Sequence, residues 1–406
     1  MRSGNYKVLL VDDEQKNIQV LANALVPAGY EIEYALDGMK AIEWVRSEEF
    51  DLVLLDVMMP GINGYQVCQS IRLFKPPEEL PVIFLTARVE KKGVIEGFRA
   101  GGSDYITKPF HAEELLARVA THINLRNAKK EIVELYEDTM ESLRYARNIQ
   151  KAILPSLGMI KKLLPESHMI YKQKELVGGD FYWIREMDGK IALIAGDSTG
   201  HGIPGAMMSM LGISIITNAF LAEGIPHPFT FLERVLHDVQ AFRTDENFAL
   251  DSIDFGLLVM DRDNRTVRYA ASNFQMILAS GSPKLSHFNF DKRGFKYVCE
   301  DAKGRHLEYL KSITGVSKST DNLLSASDIR FRLDPGDRVY LFSDGVTDLF
   351  GGSGTRKLTR KGITTMIRDS LHLSLPEQGK QLEKALDQWK GRKNRSDDIL
   401  LFCFEL

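Results

Sequence analysis

The chain has 406 residues, 44% of them hydrophobic and 26% charged, with a formal net charge of -3. That length points to two or three globular domains, and the near-neutral balance excludes a general attraction to nucleic acid or to an anionic membrane. The three cysteines (Cys68, Cys299 and Cys403) stand far apart with no CxxC spacing, which is the usage of reduced thiols in a cytoplasmic protein. The N-terminal apolar run is too short for a signal peptide. The longest apolar stretch, 207–222, is interrupted by Ser209, Ser214, Thr217 and Asn218, so it is expected to fall short of a membrane span and to form a core helix.

Over residues 1–122, short β-type runs at 7–11, 31–35, 51–55, 82–85 and 105–107 alternate with amphipathic stretches. Five βα units predict a doubly wound parallel sheet of flavodoxin-like type, in which sites form at the carboxyl ends of the strands. Those ends are polar: Asp12-Asp13 after the first run, Asp56 after the third, Thr86 after the fourth, and Lys108-Pro109 after the fifth. Three carboxylates, a hydroxyl and a lysine on one rim suit a hard cation such as Mg²⁺ together with a phosphoryl group. The Lys108-Pro109 bond is a candidate cis peptide.

This domain resembles the receiver domain of bacterial response regulators, because VDDE, LLDVMMPGINGY, LTA and DYITKPF stand where that family has them. The resemblance implies that Asp12, Asp13 and the Met58 backbone carbonyl help to hold Mg²⁺. It also implies that Asp56 accepts a phosphoryl group from a sensor histidine kinase, that Thr86 and Lys108 contact that group, and that Tyr105 is the aromatic switch.

From 112 to 154 there is no glycine or proline, and charges of both signs are dense. With Ile132 as the first core position, a heptad seam runs through Leu135, Tyr136, Thr139, Ser142, Leu143, Ala146, Ile149 and Ile153. The reading is one long helix that continues from the last receiver helix through a linker at 123–155 and pairs with its twin in a homodimer.

Residues 156–406 have an α+β pattern, with candidate strands at 170–173, 181–186, 191–195, 252–260, 266–271, 276–279, 338–342 and 399–404. Candidate helices lie at 205–222, 228–242, 359–371 and 377–389. Long helices among antiparallel-type strands predict a β-sandwich flanked by helices. Four motifs place carboxylates at apolar-run boundaries: VGGDFYW (Asp180), AGDSTGHG (Asp197), LFSDG (Asp344) and NRSDD (Asp397, Asp398). Acids converging in this way suit two divalent cations that share a bridging water and steady an in-line phosphoryl displacement, and an all-oxygen ligand set favours Mn²⁺ or Mg²⁺ over Zn²⁺.

The four motifs in this order, preceded by ARNIQKAILP, resemble the SpoIIE/RsbU-type branch of the PPM-type metal-dependent protein phosphatases. The resemblance implies metal ligands at Asp180, Asp197, Asp344 and Asp397, with Asp398 as the alternate to Asp397, and one more at the Ser198 backbone carbonyl. The implied substrate is the phosphorylated serine or threonine of a STAS-domain anti-anti-sigma factor. His201 has two readings, a general acid or a residue packing the glycine turn. The segment 286–327 reads as a family-specific loop or a surface insertion.

Two rivals bear on this reading. A diguanylate cyclase signature has an acid between its Asp and Phe, whereas Phe181 directly follows Asp180. A catalytically inactive partner-binding regulator would lack one or more metal carboxylates, and none of the four is missing.

Overall fold

The computed structural model describes residues 6–87, 91–224, 227–241, 253–282, 295–300, 306–311, 329–352 and 356–406. The chain divides into two compact units, Met1–Met140 and Glu141–Leu406.

In the first unit, strand and helix alternate: β1 (Tyr6–Val11), α1 (Gln15–Leu25), β2 (Tyr30–Ala35), α2 (Gly38–Ser47), β3 (Leu52–Asp56), α3 (Gly64–Arg72), β4 (Val82–Thr86), α4 (Lys91–Arg99) and β5 (Asp104–Thr107). The sheet order is β2-β1-β3-β4-β5 with every pairing parallel, as the alternation predicts. Side chains alternate across the strands, so Leu9, Val11, Val53 and Leu55 enter one core layer while Val8, Leu10, Leu52 and Leu54 enter the other. Both faces are therefore apolar, which explains the unbroken hydrophobic runs. Local chemistry sets the helix starts. Asp37 caps α2 by accepting from the Lys40 N–H at 2.8 Å, and Asn63 and Gln66 form a capping box on α3. A Cβ at Gly64 would overlap the Asp56 carbonyl, so only glycine lets α3 begin against the end of β3.

The helix α5 (Ala112–Ile153) runs for 42 residues, as the absence of glycine and proline predicts. Its first turns bury Leu115, Val119 and Ile123 in the receiver core. Arg118 pairs with Asp104 at 2.8 Å and Arg126 with Asp51 at 2.6 Å. Beyond these, Leu125, Ile132, Leu135 and Tyr136 are 60–66% exposed.

The second unit continues with α6 (Leu157–Leu163), β6 (Ser167–Lys172), β7 (Phe181–Met187), β8 (Lys190–Ser198), α7 (Gly202–Glu223), α8 (Pro228–Ala241), β9 (Ile253–Asp261), β10 (Thr266–Ser272) and β11 (Gln275–Ser280). After these come β12 (Phe295–Glu300), β13 (His306–Lys311), β14 (Ile329–Arg332), β15 (Arg338–Phe342), α9 (Asp344–Thr347), β16 (Phe350–Gly351), β17 (Arg356–Lys357), α10 (Thr359–Ser370), α11 (Leu375–Lys390) and β18 (Ile399–Glu405). Two larger sheets form, β14-β10-β9-β8-β7 and β12-β13-β11-β15-β18-β6. Their apolar faces share one core. In β15 and β18, Val339, Leu341, Leu400, Phe402 and Phe404 face it. The alternate residues Tyr340, Phe342, Ile399, Leu401 and Cys403 join a second cluster with Ile363, Ile367, Leu382 and Leu386 of α10 and α11. This is the sheet sandwich with outer helices that the pattern predicts.

The structure corrects several details. Asp180 bounds its apolar run from the front, in the loop immediately before β7, whereas Asp197 lies at the end of β8. The segment 286–327 is more than a loop, since β12 and β13 lie within it and extend the second sheet; residues 283–294, 301–305 and 312–328 fall outside the described residues. The elements α6, β14, α9, β16 and β17 were not anticipated. Finally, the apolar helix begins earlier than its sequence pattern indicates, and Gly202–Ala222 is long and apolar enough to cross a membrane by length and composition. More than half of it is buried inside the unit: Ile213, Ile216 and Phe220 pack in the core with Trp183 and Phe255, so it is a core helix.

Candidate active and phosphoacceptor sites

At the carboxyl rim of the first sheet, Asp12, Asp13 and Asp56 offer oxygens that all lie within 4.8 Å of one another. Asp12 is fully buried and Asp56 nearly so. Lys108 Nζ sits between them, 2.7 Å from Asp12 Oδ2 and 2.9 Å from Asp56 Oδ1. The Lys108-Pro109 bond is cis. Burial pushes the Asp56 carboxyl above the ordinary carboxylate range, against the pull of Lys108. Burial lowers Lys108, but its bonds to Asp12 and Asp56 prevail and raise it. The Met58 backbone N–H bonds the Asp56 carboxylate, and its side chain is exposed. Thr86 and Tyr105 line one small cavity with Val57, Tyr65 and Phe84. Asn17, which the sequence reading passed over, donates to Asp12 at 2.9 Å.

In the second unit, Asp197 and Ser198 end β8, and Asp197 pairs across the sheet with Asp254. Ser198 is buried; its single hydroxyl proton lies between the Gly205 carbonyl, 2.8 Å from Oγ, and the Gly179 carbonyl, 3.1 Å away. The double glycine before Asp180 is required. A Cβ at Gly178 would overlap the Asp398 carboxylate, and one at Gly179 would lie 2.6 Å from the Ser198 carbonyl oxygen. Asp180 is buried, and Ser343 Oγ donates to its Oδ2 at 2.8 Å, while its buried Oδ1 has no hydrogen-bond partner. Asp344 opens α9, and Gly345 packs so closely on Asp398 that a Cβ would overlap its carbonyl. The neighbours Asp397 and Asp398 differ in environment. Asp398 is buried and accepts from the Lys174 and Gly179 N–H groups, each at 2.6 Å. Asp397 is half-buried, and its Oδ1 accepts the Asp398 N–H at 2.9 Å. Among the described residues, no three of these carboxylates gather within the 4.8 Å span of the receiver trio, so the set is wider than the shell of one small cation.

The family profile described as a response regulator receiver domain matches residues 8–120. That described as Stage II sporulation protein E (SpoIIE) matches residues 187–280 and 309–406. The chain carries a response regulator receiver domain followed by a SpoIIE domain. Among solved structures, the SiaA-PP2C domain of Pseudomonas aeruginosa is similar at 27% identity with a TM-score of 0.55, covering 67% of this chain and 98% of that one. The uncharacterized transcriptional regulatory protein YrkP of Bacillus subtilis (strain 168) is 42% identical over 134 residues, which make up 32% of this chain. The chain spans 56% of that relative's length. Asp12, Asp13, Asp56, Thr86, Tyr105 and Lys108 fall inside the receiver match, and Asp197, Asp344, Asp397 and Asp398 inside the SpoIIE match; Asp180 lies just ahead of it.

The carboxylates of the SpoIIE domain repel one another. Burial first, then Asp197 and Asp398, hold Asp180 well above the ordinary range. Burial, then Asp344, Asp397 and Asp254, push Asp197 up to about 9. The folded, metal-free domain therefore binds more protons than the unfolded chain between the usual carboxylate value of 3.8 and about 9. Stability from this source is present below that window and is lost as pH rises through it. A divalent cation would offset the repulsion, so the gain in Tm on adding Mn²⁺ should be larger at high pH. Thermal unfolding at about pH 6 and about pH 8.5, with chelator and with Mn²⁺, checks this; an equal gain at both values would refute it.

Three further side chains organise the SpoIIE site and were not singled out from sequence. Ser343 orients Asp180. Gln150, buried near the end of α5, donates to the Gly178 carbonyl at 2.7 Å and to Ser209 Oγ of α7 at 2.9 Å. Asp254 accepts from Ser272 at 3.2 Å and from Asn273 at 2.8 Å, with Asn273 in the left-handed region at φ 52°. The signals were available: a serine ahead of LFSDG's aspartate, a glutamine inside ARNIQKAILP, and a carboxylate within the apolar run of β9. His201 lies on the rim, half exposed, with Nδ1 2.8 Å from Glu175.

Proposed function

We propose that phosphorylation of Asp56 by a sensor histidine kinase controls a metal-dependent protein-serine/threonine phosphatase housed in the SpoIIE domain. The observation that carries the enzymatic half is the buried Asp180 Oδ1, which has no hydrogen-bond partner and is surrounded by the charges of Asp197, Asp397 and Asp398. A buried carboxylate oxygen among like charges is costly unless a cation meets it. The donor set is all oxygen, which fits two Mn²⁺ or Mg²⁺ ions. Asp180, Asp197, Asp344, Asp397 and the Ser198 carbonyl would hold them, and when bound they supply a water of lowered pKa and neutralise developing phosphoryl charge.

The remaining roles belong to the chain itself. Ser343 holds Asp180 in one orientation. Asp398, both of whose oxygens accept backbone N–H groups, clamps the loop carrying Asp180, which favours Asp397 as the ligand of the pair. His201, held by Glu175, would give a proton to the leaving serine or threonine oxygen.

In the receiver, Asp12, Asp13 and the Met58 carbonyl would hold Mg²⁺. Phosphoryl charge on Asp56 engages Thr86 and Lys108, and Tyr105 turns into the cavity it shares with Thr86. The helix α5 carries the change to Gln150, which grips both the Asp180 loop and α7. The exposed seam residues Ile132, Leu135 and Tyr136 support a homodimer formed through this helix. The substrate proposed is a phosphorylated STAS-domain protein in a cytoplasmic partner-switching pathway.

The test is phosphate release by the full-length protein with Mn²⁺, Mg²⁺ or chelator, each with and without acetyl phosphate. Turnover that requires metal and changes with acetyl phosphate is expected. His201→Gln should slow a phosphoserine peptide by more than about tenfold while sparing p-nitrophenyl phosphate, whose leaving group needs no acid. Absence of turnover under every condition would reject the phosphatase.

A further inference from the structure

Two segments of the SpoIIE domain concentrate positive charge. Residues 350–361 contain Arg356, Lys357, Arg360 and Lys361, and residues 388–396 contain Lys390, Arg392, Lys393 and Arg395; neither contains an aspartate or glutamate. The chain as a whole is net acidic, at -3. Arg356, Lys357 and Arg392 are exposed. Among the described residues, Arg356, Arg392 and Arg395 make no ion pair. Positive charges at Arg356, Arg392 and Arg395 without counter-ions repel one another and weaken the fold, so ion pairing within the fold does not account for these three.

The two segments are tied to each other and to the carboxylate site. Trp389 Nε1 donates to the Leu349 carbonyl at 3.0 Å, and the Gly352 N–H donates to the Trp389 carbonyl at 2.9 Å. A Cβ at Gly351 would overlap that same carbonyl. Lys357 pairs with Asp348 at 2.7 Å, and Ser396 Oγ donates to the Asp348 carbonyl at 3.1 Å. The Asp348 N–H in turn bonds the Asp344 carbonyl at 2.8 Å. One basic segment therefore follows directly from Asp344, and the other leads directly into Asp397.

We propose that these segments form a docking rim for an acidic phosphoprotein, one whose phosphorylated serine or threonine is flanked by aspartate and glutamate. This rests on the phosphatase reading above. A dianionic phosphate must approach a cluster of carboxylates, and a basic rim beside that cluster reverses the local potential and steers anionic partners toward it. The position of the cations in the chain that follows Asp344 and in the chain that leads into Asp397 favours a substrate protein over a membrane surface.

The experiment uses full-length protein with Mn²⁺ and two fluorescent peptides carrying a non-hydrolysable phosphonate in place of phosphoserine, one with acidic and one with neutral flanks. Binding is read by anisotropy, and p-nitrophenyl phosphate turnover is measured in parallel. Wild-type protein should bind the acidic peptide about tenfold more tightly, with the preference shrinking between about 50 and about 300 mM salt. Arg356→Glu with Arg392→Glu should abolish the preference and leave kcat for saturating p-nitrophenyl phosphate within about twofold of wild type, any weakened steering appearing only in KM. Equal binding of both peptides by the wild type, or a preference retained in the double variant, would overturn the docking rim. Loss of sedimentation with phosphatidylserine vesicles in a variant whose peptide preference is intact would reassign the patch to membrane and equally overturn it. Absent p-nitrophenyl phosphate turnover in wild type would instead count against the phosphatase, because peptide binding is read without turnover.

Discussion

Asp197→Asn is expected to reduce metal-dependent phosphate release by more than about 100-fold, beyond the loss typical of a residue that merely supports a metal ligand. The same variant should be at least as stable as the wild type in chelator. Burial and the charges of Asp344, Asp397 and Asp254 push the Asp197 carboxyl up to about 9, so its ionised form is a cost that the neutral amide removes. Activity and metal-free stability should therefore move in opposite directions, which general misfolding would not produce. Asp344→Asn should lose activity to a similar extent. Turnover above about a tenth of wild type in either variant would mean that these carboxylates do not organise the reaction.

Inserting two residues after Glu137 is expected to abolish the response to acetyl phosphate while leaving Asp56 phosphorylation and basal turnover in place. At 3.6 residues per turn, two residues rotate everything beyond them by about 200°. The helix contains no glycine or proline at which to absorb the change. Its far end is not free to slip, because buried Gln150 bonds both Gly178 and Ser209. A seven-residue insertion, which returns the helix to within about 20° of its phase, should keep most of the response. Regulation that survived the two-residue insertion unchanged would rule out a rigid helical coupler.

The pattern of what was legible follows from the range of the forces involved. The parallel sheet of the receiver, the length of α5 and the buried strands β15 and β18 were readable because their signals are local: apolar periodicity, turn residues and the absence of helix breakers. The strands β12, β13 and β14 were not. Edge and polar strands are specified by the neighbours they pair with more than by their own propensity, and here those neighbours, β13, β11 and β10, are remote or come later in the chain. The helix α7 was legible as a core helix from the polar residues Ser209, Ser214, Thr217 and Asn218, but its earlier start at Gly202 and its membrane-spanning length were not, because the glycine turn ahead of it hides the first helical turn.

The site divides along the same line. Sequence by itself determined which residue types were present and at which boundaries: the receiver acids with Lys108, and aspartates 180, 197, 344 and 397–398 among glycines and apolar runs. Only the tertiary structure decided how they are used. It turned the adjacent Asp397 and Asp398 into different groups, one half-buried and the other clamping the backbone of Lys174 and Gly179, because consecutive side chains entering a strand point to opposite sides. It also brought Ser343 to Asp180, Asp254 opposite Asp197, and Gln150 to the Gly178 carbonyl. Those contacts join residues far apart in the chain, and the hydrogen bonds that define them exist only once the sheets have paired and water has been excluded.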